Sequence, residues 1–326
     1  MVDQHEDDPG GDEVNSLKVN LSSLLGAAAF AVLASVSSLA HADGLVARSS
    51  DLAAADRAKL SALVAQQKRT DPASFTAIRE LQGLRPEVYR ERRHPIPEVG
   101  RELQHMGTKA LLPMLEALVL EAPRYETLSS QERQALVEGM LSAVARLRDA
   151  RASAPMRAAF ATSQPEWASR GIAAALGKLC DASSYERLVA GLRDSARRSA
   201  AVDGLGECRS IDAARVLASE LEQATSSDDA ATLARVLGNL GSSWAWRALG
   251  ASRQAEGEQV RDVVAAALVK SYSRYGGEAR ARHRAALTMV EPVGLRRLVD
   301  ANRPADAAVA RELDDVVRVV EKRRSR

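Results

Sequence analysis

The chain has 326 residues, of which 46% are apolar but only 3% aromatic, and its mean hydropathy is below zero. Ala, Leu, Val and Arg dominate, a composition suited to small-residue helix packing and poor in the Thr and aromatics of a β-sandwich. The formal charge of +2 is an average of unlike parts: residues 1–42 carry six acids against Lys18, a net of −5, which leaves +7 on the remainder. Modest basicity with interspersed acids describes a solvated helical surface better than a nucleic-acid binder.

Residues 1–13 are polar and acidic and hold nothing that could build a core. No formally charged residue occurs from Val19 to Ala42, and Leu24 to Leu33 is a compact apolar run leading to Ala40-His41-Ala42. A short apolar stretch ending in a small-x-small pattern predicts a signal peptide cut after Ala42. Export to the periplasm or cell envelope is the expectation, with anchoring in a membrane by residues 19–42 as the alternative. The acidic start is atypical of an export signal; translation from Val14 or Leu17 would place Lys18 at the front.

Residues 43–97 read as an N-terminal helical cap. Asp51 to Gln67 predicts a helix with Ala54, Ala58, Leu60, Leu63 and Val64 on one side. Thr70-Asp71-Pro72 is a stop and restart, because Asp71 can cap and Pro72 suits a first helical turn. Phe75, Ile78, Leu81 and Leu84 mark the next helix. The connector 86–97 holds Arg90, Arg92, Arg93 and His94, a basic patch offered as a partner contact.

From Glu98 to Arg303 paired amphipathic helices follow one another. Leu176-Gly177, Leu205-Gly206, Leu237-Gly238 and Leu268-Val269 recur at spacings of 29, 32 and 31, and Leu103 and Val144 extend the ladder toward the amino end. A period near 30 built of helix pairs is the mark of an α-solenoid. The chain is therefore expected to be all-α, an α-α superhelix coiled as a right-handed solenoid. After Pro304, Val309, Leu313, Val316, Val317 and Val320 form one apolar stripe, so residues 304–326 are expected to be a closing helix with a basic tail. The basic run at its end complements the helix dipole without needing a ligand.

The unit carried by Leu176-Gly177, Leu179, Asp181, Leu188, Leu192, Asp194, Arg198, Ala200, Ala201 and Leu205-Gly206 resembles a HEAT repeat of the phycobilisome-lyase-like type. Leu237-Gly238, Leu240, Leu249, Arg261 and Leu268 carry the resemblance again. It implies HEAT-like helical hairpins with Asp194 and Arg198 as structural residues between repeats. It implies a fold and no activity.

Cys180 and Cys208 are the only cysteines and end successive first helices. Two readings stand: a disulfide, sensible in an exported chain, or two buried thiols acting as small hydrophobes. The five histidines are scattered, and no phosphate loop, nucleophile elbow or zinc pair is visible. No catalytic, cofactor or metal site is expected. Trp246 occupies a core position of the repeat, whereas Trp244 falls at a polar one; Trp244 either contacts a partner or packs on a neighbouring loop. The function expected is a non-enzymatic scaffold that holds an unknown protein or peptide on the second helices of its repeats. The alternatives are an enzyme or lyase accessory using the same groove, and an arginine-rich binder of nucleic acid or anionic lipid.

Overall fold

A computed structural model describes residues 43–81, 98–121 and 128–325. These residues are helical throughout, joined by turns and short 3-10 segments, with no strand among them. The fold is all-α. Residues 43–52 form a strap across the helix Leu111–Val119, where Leu45 and Val46 donate backbone hydrogen bonds to Ala117 and Leu118, each of 2.9 Å.

The helices are α1 (Ala54–Thr70), α2 (Pro72–Arg79), α3 (Glu98–Met106), α4 (Leu111–Val119), α5 (Ser130–Leu147), α6 (Ser153–Ala161), α7 (Glu166–Leu179) and α8 (Ala182–Gly191). After these come α9 (Arg198–Glu207), α10 (Ile211–Gln223), α11 (Ser227–Leu240), α12 (Ser243–Arg247), α13 (Gln254–Ser271), α14 (Gly277–Val290), α15 (Leu295–Ala301) and α16 (Ala307–Arg324). Their starts follow local chemistry. Asp71 caps α2, with Pro72 in its first turn; Ser129 and Glu132 form a reciprocal capping box on α5; Asp181, Ser210, Ser226 and Asp306 cap α8, α10, α11 and α16. On α1 the buried side is narrower than the sequence suggests: Leu60 and Val64 are buried, but Ala54 and Ala58 are exposed.

Helices α3, α5, α7, α9 and α11 pack side by side in series. The ladder residues Leu103, Val144, Leu176, Leu205 and Leu237 sit within that series, each with no exposed surface. Glycines make the close approach feasible. A Cβ at Gly204 on α9 would lie 2.7 Å from the Ala173 carbonyl oxygen on α7, and one at Gly177 would run into the Gly204 carbonyl. A Cβ at Gly206 would run into the Val236 side chain on α11. Gly177, in the Leu176-Gly177 pair, is thus where one backbone meets the next, a reason for it that hydrophobic periodicity does not convey.

The last rung departs from the ladder. Leu268 is buried, but its helix α13 packs chiefly on α10, while α14 takes the place beside α11. A Cβ at Gly238 would lie 2.8 Å from Ala286 Cβ on α14. The cause is α12, only five residues long, which is too short to occupy the position that α10 fills after α9. The chain crosses over, and α13 fills that layer instead. Helix α16 closes this end with Val309, Leu313, Val316, Val317 and Val320 buried.

Candidate interaction surfaces

A groove of roughly 500 Å³ lies between the start of α1, α6 and α8. Its floor is made of Ala154, Ala158, Ala161 and Ala190. Short side chains keep that floor low, and the charges stand around it: Asp51, Asp56, Arg157, Glu186 and Arg187. Arg157 is tied down, donating 2.5 Å to Ser153 Oγ and standing 3.7 Å from Asp181. Asp181 is also the α8 cap. Burial pushes its carboxyl up, but hydrogen bonds from Ser153 and Ser184 outweigh that and hold it below the usual carboxylate range. Glu186 and Arg187 make no ion pair or side-chain hydrogen bond among the described residues, so both are available to an occupant. Among the described residues no nucleophile in the groove is paired with a base.

A second groove, of roughly 510 Å³, lies across α7, α9 and α11, lined by Arg170, Asp203, Glu207 and Arg235 among others. Arg235 donates 2.7 Å to Asp203, Arg170 stands 3.8 Å from the same carboxylate, and Lys178 donates 2.7 Å to Glu207. These pairs connect neighbouring helices of the series. Arg198 donates to Asp229 at 2.6 and 3.1 Å and to Glu220 at 3.0 Å, while Asp194 is held by Arg197. Arg198 therefore reaches forward to the next helices rather than back to the Asp of its own turn. The Asp229 hydrogen bond, with its charge, pushes the Arg198 guanidinium up.

Cys180 and Cys208 are joined as a disulfide, with Cα atoms 5.3 Å apart. Cys180 ends α7 in the left-handed region at φ 44°, and Cys208 ends α9 fully buried. The bridge thus fastens two consecutive members of the helix series at their carboxyl ends. The close glycine-mediated packing of α7 on α9 is what brings the two Cα atoms inside bridging range.

The two tryptophans on α12 part company. Trp246 is fully buried, donates its indole N–H to the Leu240 carbonyl at 2.8 Å, and lies against Gly257 and under the Arg253 guanidinium. Trp244 is 73% exposed. Arg90, Arg92 and Arg93 lie outside the described residues. The groove on α6 and α8 escapes a sequence reading because its alanines look like any helical alanine; only their coincidence across two helices distinguishes them.

His283 is fully buried on α14, its Nδ1 donating to the Ala279 carbonyl at 2.7 Å and its Nε2 3.0 Å from Ser271 Oγ. Burial pushes the imidazole below its ordinary value. It is a core polar group with both nitrogens engaged. Among the described residues no cluster of His, Cys, Asp and Glu could hold a metal ion, and no helix is long and apolar enough to cross a membrane. In comparisons with known proteins, no family model and no curated sequence matches this chain.

Proposed function

We propose that this chain is a HEAT-like α-solenoid, right-handed in its coiling, that acts as a non-enzymatic scaffold and holds a segment of a partner protein. The observation that carries the reading is the alanine-floored groove of α6 and α8, with Glu186 and Arg187 unpaired beside it. A low apolar floor with Asp56, Glu186 and Arg187 making no ion pair among the described residues suits an extended peptide, whose backbone lies on the alanines and whose charged side chains are read at the rim. The serial packing of α3, α5, α7, α9 and α11 supports the solenoid, with α4, α6, α8 and α10 as its second helices. The enzyme alternative lacks support in the groove, where no base and nucleophile meet. The arginine-rich alternative is weakened by the pairing of Arg170, Arg197, Arg198 and Arg235 with carboxylates.

Export to the cell envelope is part of the proposal. The Cys180–Cys208 bridge favours it, because structural disulfides persist in oxidising compartments. Mass spectrometry of the protein from its native host tests it: a mature amino terminus at Asp43 is expected, and an intact leader in the cytosol would end it. The scaffold role is tested by affinity capture with residues 43–326 and the variant Ala158→Arg, which fills the floor. The variant is expected to keep its fold and lose the protein that the parent retains. Equal recovery of that protein by both forms would rule out the groove.

A further inference from the structure

The groove of α6 and α8 carries more acid than base. Its lining holds three carboxylates, Asp51, Asp56 and Glu186, and two guanidiniums, Arg157 and Arg187. The charge of Arg157 is already matched, because Asp181 stands 3.7 Å away and Ser153 Oγ accepts from it at 2.5 Å. Asp181 in turn is engaged by Ser153 and Ser184. Three acids therefore remain against Arg187 alone.

The three acids are committed to different degrees. Asp51 accepts the Arg48 backbone N–H at 2.8 Å. Asp56 and Glu186 accept no hydrogen bond and enter no ion pair among the described residues, and Arg187 donates to nothing there. Asp56 lies in the first turn of α1, where its charge complements the helix dipole without occupying its oxygens. It is half-buried, so a cation beside it is screened less than one in open water.

Position adds to the sign. Asp51 and Asp56 come from the start of α1 and Glu186 from α8, with the alanines of α6 and α8 as the floor. Side chains of an extended backbone point alternately to its two sides. Two consecutive basic residues therefore send one cation toward α1 and the other toward α8. Their methylene stems lie along the alanine methyls, a packing that long cationic side chains favour.

We propose that the groove binds an extended protein segment bearing two adjacent basic residues among small ones. One cation meets Asp51 and Asp56, the other meets Glu186, and Arg187 donates to a backbone carbonyl of the segment. This inference rests on the groove being the docking site; it adds the sign and the spacing of the charges that the site reads.

An amide-shift titration of the isotope-labelled full chain with the peptide acetyl-Ala-Ala-Lys-Lys-Ala-Ala-amide tests the proposal, beside the same peptide with Glu-Glu for Lys-Lys. Saturable shifts are expected with the lysine peptide, confined to the start of α1, α6 and α8. Its affinity should fall about threefold in Asp56→Asn and in Glu186→Gln, and rise about twofold in Arg187→Gln. It should not change in Asp228→Asn, an exposed acid on α11. Parental affinity in both Asp56→Asn and Glu186→Gln would overturn the inference. If the glutamate peptide binds as tightly and Ala158→Gln, which adds neutral bulk to the floor, abolishes both, the groove stands and the charge reading falls. If Ala158→Gln leaves the lysine peptide bound, groove and inference fall together. If neither peptide gives saturable shifts, the inference falls, and the affinity capture still decides the groove.

Discussion

The contact between Gly238 and Ala286 offers a direct test of the crossover, because sequence periodicity would pair α11 with α13 instead of α14. In Gly238→Ala the added Cβ would lie 2.8 Å from Ala286 Cβ and 2.9 Å from its Cα, well inside ordinary contact distance. Both obstacles belong to or adjoin the backbone, so no rotamer relieves them and the helices must part. Overpacking of this kind costs about 3 kcal/mol, against which the alanine contributes about 1 kcal/mol of helix propensity, leaving a net loss of about 2 kcal/mol. Ala286→Gly removes a buried methyl and a good helix former and loses about 2 kcal/mol as well. If the two sites were independent the double variant would lose about 4 kcal/mol. Since Ala286 Cβ is one of the two atoms in the way, the double variant is expected to lose only about 2.5 kcal/mol, a coupling of about 1.5 kcal/mol. Urea unfolding followed by far-ultraviolet circular dichroism measures all four corners of the cycle. Gly276→Ala is the control: nothing lies within 4 Å of its Cβ position, and it should stay within about 0.5 kcal/mol of the parent. A coupling below about 0.5 kcal/mol would refute the packing of α14 on α11.

Opening the Cys180–Cys208 bridge, which spans 28 residues, by reductant or by Cys180→Ser should destabilise the chain by about 3 kcal/mol. Equal urea midpoints with and without reductant contradict that. Trp244→Ala should change stability by no more than about 0.5 kcal/mol, whereas Trp246→Ala should lose about 3–5 kcal/mol. Acrylamide should quench the fluorescence of Trp244 strongly and that of Trp246 weakly, as read from variants that retain one of the two; comparable quenching would show the assignment to be reversed. His283 sets a pH dependence. Its folded value is depressed, so below about pH 6.5 the unfolded chain takes up a proton that the native one resists. The stabilising contribution of the neutral imidazole is present above that pH and declines as the pH falls through it. Urea midpoints across this range should drop toward acid in the parent and drop less in His283→Gln; identical slopes would exclude His283 as the source.

Much of the fold is legible in the chain because its signals are local. Asp71-Pro72 ends one helix and begins the next through backbone chemistry confined to a few residues, and the stripe Val309, Leu313, Val316, Val317 and Val320 gives α16 its buried side. The Leu-Gly pairs point to serial packing because a leucine buries area and a glycine admits a backbone. Trp246 is legible as core from its repeat position, and Trp244 as the polar-position tryptophan beside it. The groove is not legible, since it is assembled from elements far apart in sequence. Ala158 and Ala190 belong to different helices.

The sequence by itself determined most of the helices, the Asp71-Pro72 restart, the all-α class and the rungs up to Leu237. Periodicity and capping act over one or two turns, and their energetics need no knowledge of distant residues. Tertiary structure alone decided where Leu268 went. A five-residue α12 leaves a vacancy beside α10, and burying apolar area there draws α13 across, which moves α14 next to α11. That choice is a comparison between two packings of the same helices, and it is made by contacts that no local pattern records.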